Sequence, residues 1–382
     1  MEILFLNFII NKSNMKKTLL TFYFLLIGFS MSLNAQKNKN AYDIVVAADG
    51  SGNYTKVQEA FNAVPDNSSK RTIIFVKPGI YKEKLKLTAG KKNVSLIGES
   101  YKNTILTYDD YAEIAGGTSK SFSVLIEAND FFAENITFEN TISSELPQYK
   151  KGGQAVALMV NGDRGIFHNC KMSGFQDTFY LKANKRSYIK DCIIDGTTDF
   201  IFGAGIALFE NCVIQCKKDS YITAGNHEAG KSKYGFVFKD CVIMKYPKAA
   251  ISKVSLGRPW GAGANTVFIH CYEESVIIPD GWSIWSKDPE NKAYENWKTS
   301  FYAEYDCFGP GSNSDNRISW SKQLNKTEVS EYTKEKIFAA STTTAINLEE
   351  DWNPVIKKDK CDSILPSKKS KNQDSDFEKA FY

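Results

Sequence analysis

The sequence predicts an all-β protein, a single-stranded right-handed parallel β-helix with a C-terminal capping helix. Three observations predict it. From Ala41 to about Arg317, short β-branched and aromatic runs are separated by Gly, Asn and Asp, and sustained helical periodicity is scarce. Within that region a local pattern recurs at intervals of 22 and then 20 residues. Five cysteines, Cys170, Cys192, Cys212, Cys241 and Cys271, hold the same place in successive copies.

The elements follow in chain order. Met15-Lys16-Lys17, the apolar run Thr18–Ser32 and Leu33-Asn34-Ala35 have the form of a secretory signal peptide. That run is too short to span a membrane comfortably. The expectation is a signal peptide over 1–35 with its true start at Met15, a mature chain from about Gln36, and a secreted or periplasmic protein without stable membrane insertion. Strands are expected at Thr72–Val76, Val94–Ile97, Phe122–Ile126 and Phe236–Phe238, and one short helix at Val57–Ala63 with Val57, Ala60 and Phe61 on its apolar face. Aligning Ile166–Leu181 with Tyr188–Gly203 superposes the cysteines, the glycines at 174 and 196, and the aspartates at 177 and 199. Leu208–Ile222 and Phe236–Met244 continue the series. About this many residues make one coil of a parallel β-helix, with coils stacked roughly 4.8 Å apart. The competing architecture, a β-sandwich with coincidental spacing, leaves the repeat unexplained. Glu328–Ala340 reads as the helix that caps the open end, and 357–382, rich in Lys, Ser and Asp, as a disordered tail. The catalytic domain is thus placed at 36–356.

Composition narrows the function. Hydrophobic residues at 42% and charged residues at 24% are ordinary for a soluble chain. A formal charge of +4 is too small to indicate nucleic acid as a partner. The repeat position of the five cysteines favours a stack of buried free thiols over a disulfide framework. With three histidines and no C-x-x-C pair, neither a metal site nor a cofactor is expected.

The repeat also makes a geometric prediction. Gln154 and Gln176 are 22 apart, as are Asp177 and Asp199, so a 22-residue coil stacks each pair on one face. Two carboxyl groups on adjacent coils would lie about 5–7 Å apart, close enough to separate their pKa values. One could then act as nucleophile and the other as general acid. Aspartates also serve as plain turn residues in such coils, and Asp219 occupies the same repeat position. Spacing leaves both readings open and does not choose two of the three.

Four segments go further. Gln154–Leu158 (QAVAL), Gly174–Thr178 (GFQDT), Asp199–Gly203 (DFIFG) and Leu256–Trp260 (LGRPW) resemble, in order, the four motifs of the pectin methylesterases. Asp49–Gly52 with Tyr54, Val76–Tyr81, Asn135–Thr141 and Pro279–Trp282 resemble flanking stretches, and the likeness runs from about Tyr42 to Pro354. The resemblance implies a pectin lyase-like β-helix that hydrolyses galacturonate methyl esters of pectin to methanol and free acid. It implies Asp199 as nucleophile, Asp177 as general acid and then base, Gln154 and Gln176 as oxyanion donors, and Arg258 as the partner that keeps Asp199 charged. Substrate contacts are expected from Thr118, Gln154, Tyr180, Phe202, Arg258, Trp260, Trp282 and Trp285. The expected partner is methylated polygalacturonate, and the expected state is a monomer. Two departures fall in loops that border the expected cleft: Gly225-Asn226-His227, where the family commonly carries Gln-Gly-Arg, and the extra segment 143–151. Alternatives are an esterase for other or short uronate esters, a pectin-active lyase or hydrolase, and a non-catalytic carbohydrate-binding β-helix.

Overall fold

The computed structural model describes residues 42–143, 153–247, 249–340, 348 and 350–356; the expected signal peptide, most of the extra loop and the expected tail lie outside them. From Ile44 onward the chain forms one unit of three parallel sheets with 11, 7 and 8 strands. Each coil contributes one strand to each sheet in turn. Gly165–His168, Lys171–Ser173 and Phe179–Leu181 form one coil; Arg186–Lys190, Ile193–Gly196 and Ile201–Gly203 form the next. Ile166 pairs with Tyr188, Met172 with Ile194 and Phe179 with Ile201, so the 22-residue register holds on all three sheets.

Alternation along each strand sends every second side chain inward. Phe167, Ile189, Phe209, Phe238 and Phe268 stack on one inner wall, and Met172, Ile194, Ile214 and Ile243 on the next. Phe209, Phe238 and Phe268 lie nearly parallel, with centroids 4.4 Å apart. Burying each such side chain contributes about 1.5–3 kcal/mol. The turn between the 11- and 8-stranded sheets explains the cysteines. Asn169, Asp191, Asn211 and Asp240 take left-handed backbone there, at φ of 49, 54, 54 and 54°. Asn and Asp tolerate that conformation, and each aims the following cysteine into the core. Cys170, Cys192, Cys212, Cys241 and Cys271 are all buried and free. Amide N–H groups donate along the column, as from Cys170 to Cys192 Sγ at 3.3 Å.

Helix α1, Val57–Ala63, has the expected bounds, and Val57, Ala60 and Phe61 are its buried face. The expected strands lie at Thr72–Val76, Val94–Gly98, Val124–Ile126 and Phe236–Lys239. After the one-turn α2, Ala112–Ala115, the next α-helices are C-terminal, and there the expectation fails. In place of one helix over 328–340 there are two single turns, α3 at Lys326–Val329 and α4 at Lys334–Ile337. Each has its own cap, Asn325 in a capping box with Glu328 and Thr333 bonded to the Lys336 N–H, which restarts the chain instead of continuing it. They do not close the solenoid's end. Ile337 and Phe338 pack on Tyr188, Leu208 and Val237, the outward face of the 11-stranded sheet. Ile318 and Trp320 instead pack against the main core beside Tyr302.

Candidate active site

The 7-stranded sheet carries the site. Its coils enter through turns that hold Gly174 and Gly196, where a Cβ would come within 2.7 Å of Thr178 Oγ1 and 2.2 Å of Phe200 Cβ. Buried Asp195 ties the first turn to the second: it accepts from Ser173 Oγ at 2.9 Å and from the Gly174 N–H at 3.2 Å, and pairs with Lys217 at 2.6 Å. Thr178 Oγ1 donates to the Asp195 carbonyl at 3.1 Å. Held this way, the turns present matching residues on successive coils. Gln154 bridges Gln176, and Asp177 and Asp199 occupy equivalent places one coil apart, both left-handed at φ of 64 and 50°.

Past the aspartates the chain becomes strand, and an outward row forms. Met159, Tyr180, Phe202, Ala224 and Arg258 are cross-strand partners in that order. Tyr180 stacks on Phe202 at 4.2 Å, with Trp260 6.3 Å beyond. Tyr180, Phe202, Ala224, Arg258 and Trp260, with Thr118, Ser119 and Trp285, line a cleft of about 530 Å³ over the two aspartates and two glutamines.

Arg258 comes from a coil two turns further on. Its Nε and Nη2 donate to Asp199 Oδ1 and Oδ2 at 3.0 and 2.6 Å. The guanidinium lies between the rings of Tyr221 and Trp285, at 4.0 and 4.2 Å from their centroids, which fixes the fork's plane. Asp177 has no hydrogen bond from a described side chain. Burial pushes its carboxyl well above the usual range, the charge of Asp199 adds to this, and Arg258 offsets part of it. Burial also raises Asp199, but there the two Arg258 hydrogen bonds oppose it directly. Neither glutamine amide is committed to a hydrogen bond among the described residues, so both can donate to a bound group. The arrangement offers a carboxyl paired with an arginine, a second buried carboxyl whose surroundings favour its proton, and two amide donors in one aromatic-walled groove.

Ten of the eleven expected site residues line this cleft. Trp282 does not. It is 1% exposed, packs on Phe268 and Tyr302 in the core, and donates its indole N–H to Glu304 at 3.2 Å. The chain turns inward at Gly281 and Trp282, so Trp282 belongs to the core and not to the cleft. Asp219 also leaves the expected register. Gly196 pairs with Cys216 at an interval of 20, but Ile201 pairs with Thr223 at 22, so the intervening turn carries two extra residues. Asp219 becomes an exposed turn residue that accepts from the Ser252 and Lys253 N–H groups. Tyr221 takes the place over Asp199, with its carbonyl accepting the Asp199 N–H. The motif reading missed Tyr221, because the 20-residue offset at the start of that copy put Asp219 in its place.

A parallel β-helix with such a cleft defines a polysaccharide-active ester hydrolase. The chain belongs to the pectinesterase family: the Pectinesterase family model matches residues 43–341. It is 38% identical to Pectinesterase 31 of Arabidopsis thaliana over 75% of this chain and 89% of that one. Against probable pectinesterase/pectinesterase inhibitor 58 of the same plant it is 37% identical but spans only 50% of the relative. Among solved structures, pectin methylesterase from carrot superposes with a TM-score of 0.70 at 29% identity, over 78% of this chain and 93% of that one. A pectin methylesterase in complex with a hexasaccharide superposes at 0.67 and 28% identity, over 83% and 99%. The family's members are carboxylic ester hydrolases acting on the methyl esters of pectin.

Proposed function

We propose that this chain demethylates galacturonate esters in pectin with Asp199 as nucleophile, Asp177 as general acid and base, and Gln154 and Gln176 as the oxyanion donors. The supporting observation is the unequal company of the two carboxyls: Asp199 is forked by Arg258, and Asp177 is buried without such a partner. Asp199 attacks the ester carbonyl, and the charge that develops on its oxygen falls to the two amides, each donor lowering the barrier by about 3 kcal/mol. As the intermediate collapses, Asp177 gives its proton to the departing methoxide, so methanol leaves and galacturonate stays as an anhydride on Asp199. Asp177, now charged, takes a proton from water, which attacks the same carbonyl and frees Asp199 and the acid. Tyr180, Phe202, Trp260 and Trp285 offer flat apolar faces for sugar rings, with Thr118 at the cleft's edge. The reading needs no metal or cofactor step. The signal-like N-terminus supports a secreted or periplasmic enzyme, and the chain is proposed to act as a monomer.

Asp199→Ala is expected to lower methanol release from highly methylated pectin by at least about a thousandfold, with an unchanged far-ultraviolet circular dichroism spectrum. Turnover that survives in the folded variant would remove Asp199 from the chemistry.

A further inference from the structure

Between the 8- and 7-stranded sheets the chain turns through Gly174 on one coil and Gly196 on the next, each three residues before an aspartate of the cleft. Both polar groups of the buried Gly174 backbone are held by one ion pair. Its N–H donates to Asp195 Oδ1 at 3.2 Å, its carbonyl accepts from Lys217 Nζ at 2.8 Å, and that ammonium lies 2.6 Å from the same Asp195 oxygen. Hydrogen bonds from charged groups are roughly twice as strong as neutral ones, so this peptide is firmly set. Lys217 belongs to the coil after that of Asp195, and its own backbone N–H donates to the Gly196 carbonyl at 2.8 Å. One residue thus grips both glycines. The Lys217 side chain is 15% exposed, and its ammonium lies 4.7 and 4.9 Å from the ring centres of Phe175 and Tyr246, which leaves it little freedom. A second lysine, Lys171, pairs with the other Asp195 oxygen at 3.1 Å, and its ammonium makes no hydrogen bond to either glycine among the described residues.

We propose that Lys217 is a positioning residue for the ester hydrolysis: by bridging the two turns it sets Gln176 and Asp177, on one coil, against Asp199 on the next. The inference rests on the proposed pectin demethylation. Lys217 does not line the cleft, so it acts through the backbone of the turns and not on the sugar. The nucleophile and the general acid sit on different coils, and their approach to one ester carbonyl depends on how the two turns are set against each other. Strand pairing survives loss of the ammonium, but the first turn is released. A displacement of about 1 Å in a reacting group can cost roughly a hundredfold in rate.

Lys217→Met keeps the stem and the backbone N–H and removes only the ammonium. On highly methylated pectin its kcat is expected to fall about tenfold, with KM within about twofold of wild type. Lys217→Arg, which restores a donor of similar reach, should recover most of the loss. Lys171→Met is the control: it takes a cation from the same carboxylate without touching Gly174. It should lower the melting temperature as Lys217→Met does and leave kcat near wild type. If Lys217→Met does not fold, Asp195→Asn carries the test. It keeps an acceptor for the Ser173 hydroxyl and the Gly174 N–H but loosens Lys217, and the same fall in kcat at constant KM is expected. An unchanged kcat in the folded variant, a change confined to KM, or an equal loss of kcat in Lys171→Met overturns the positioning role while leaving demethylation standing. Wild type that releases no methanol overturns the underlying reading instead.

Discussion

Asp177 and Asp199 share one backbone conformation and one burial, and a single guanidinium makes them chemically different. The fork from Arg258 stabilises charge on Asp199; at Asp177 desolvation dominates and favours the neutral form. A carboxyl raised by burial binds its proton more tightly in the folded chain than in the unfolded one. Its contribution to stability is therefore complete below the unfolded carboxylate value of about 3.9 and is lost as pH rises through the raised folded value. Asp177→Asn removes that dependence. Its melting temperature is expected to exceed wild type by a margin that grows from pH 5 to pH 8, while methanol release collapses. A margin that stays constant with pH would mean that Asp177 is already ionised in the folded protein. The pairing partner, Arg258, could be named from its motif. Its second restraint, the Tyr221 ring, could not, because the two-residue insertion before Tyr221 hides the interval that places it over Asp199.

At the scale of the element, the turn between the 11- and 8-stranded sheets is a ladder of left-handed Asn and Asp, and one rung carries a histidine beside it. His168 lies between Glu134 of the preceding coil and Asp191 of its own turn's successor, with Nδ1 2.9 Å from the first and Nε2 3.2 Å from the second. Burial alone would lower its pKa, but the two carboxylates outweigh it and bring it up to about 9. A raised histidine stabilises fully below its unfolded value of about 6.5 and loses that contribution as pH rises through about 9. His168→Gln should therefore cost about 1–2 kcal/mol at pH 6, allowing for solvent screening, and little at pH 10. Urea denaturation at the two pH values measures this, and an equal cost at both would rule out the charged histidine. Among the elements, α1 was legible because its apolar spacing is helical and local. The break between α3 and α4 was written in Thr333, the N-cap of α4, which the reading of a single helix passed over.

From Ile44 onward the chain is a stack with a strap. After the last coil the chain returns along the outer face of the 11-stranded sheet, and Arg186 anchors it there. The Arg186 side chain is fully buried; it pairs with Asp163 at 2.7 Å and donates to the carbonyls of Phe338 and Glu350 at 2.8 and 2.7 Å. Removing one partner from a buried charged network costs about 3–5 kcal/mol. Arg186→Met is expected to lose that much stability and to open cleavage sites C-terminal to Ser330 under limited proteolysis. The sheet that carries the proposed active site is a different one, so the variant protein that remains folded should keep wild-type kcat. An unchanged digestion pattern would show that the apolar contacts of Ile337, Phe338 and Trp352 hold the strap without Arg186.

Counting residues along the chain was enough to set the coil, its 22-residue step and the stacking of Gln154 on Gln176 and of Asp177 on Asp199. In a parallel solenoid with constant turns, an interval along the chain is a position in space, so counting residues is enough. Where turns change length, counting fails, and the structure decided the outcome: Asp219 moved out of the carboxylate row, Tyr221 moved in, and Trp282 went to the core. The docking of the C-terminal strap was likewise decided by contacts between residues more than 150 positions apart, for which no local periodicity carries a signal.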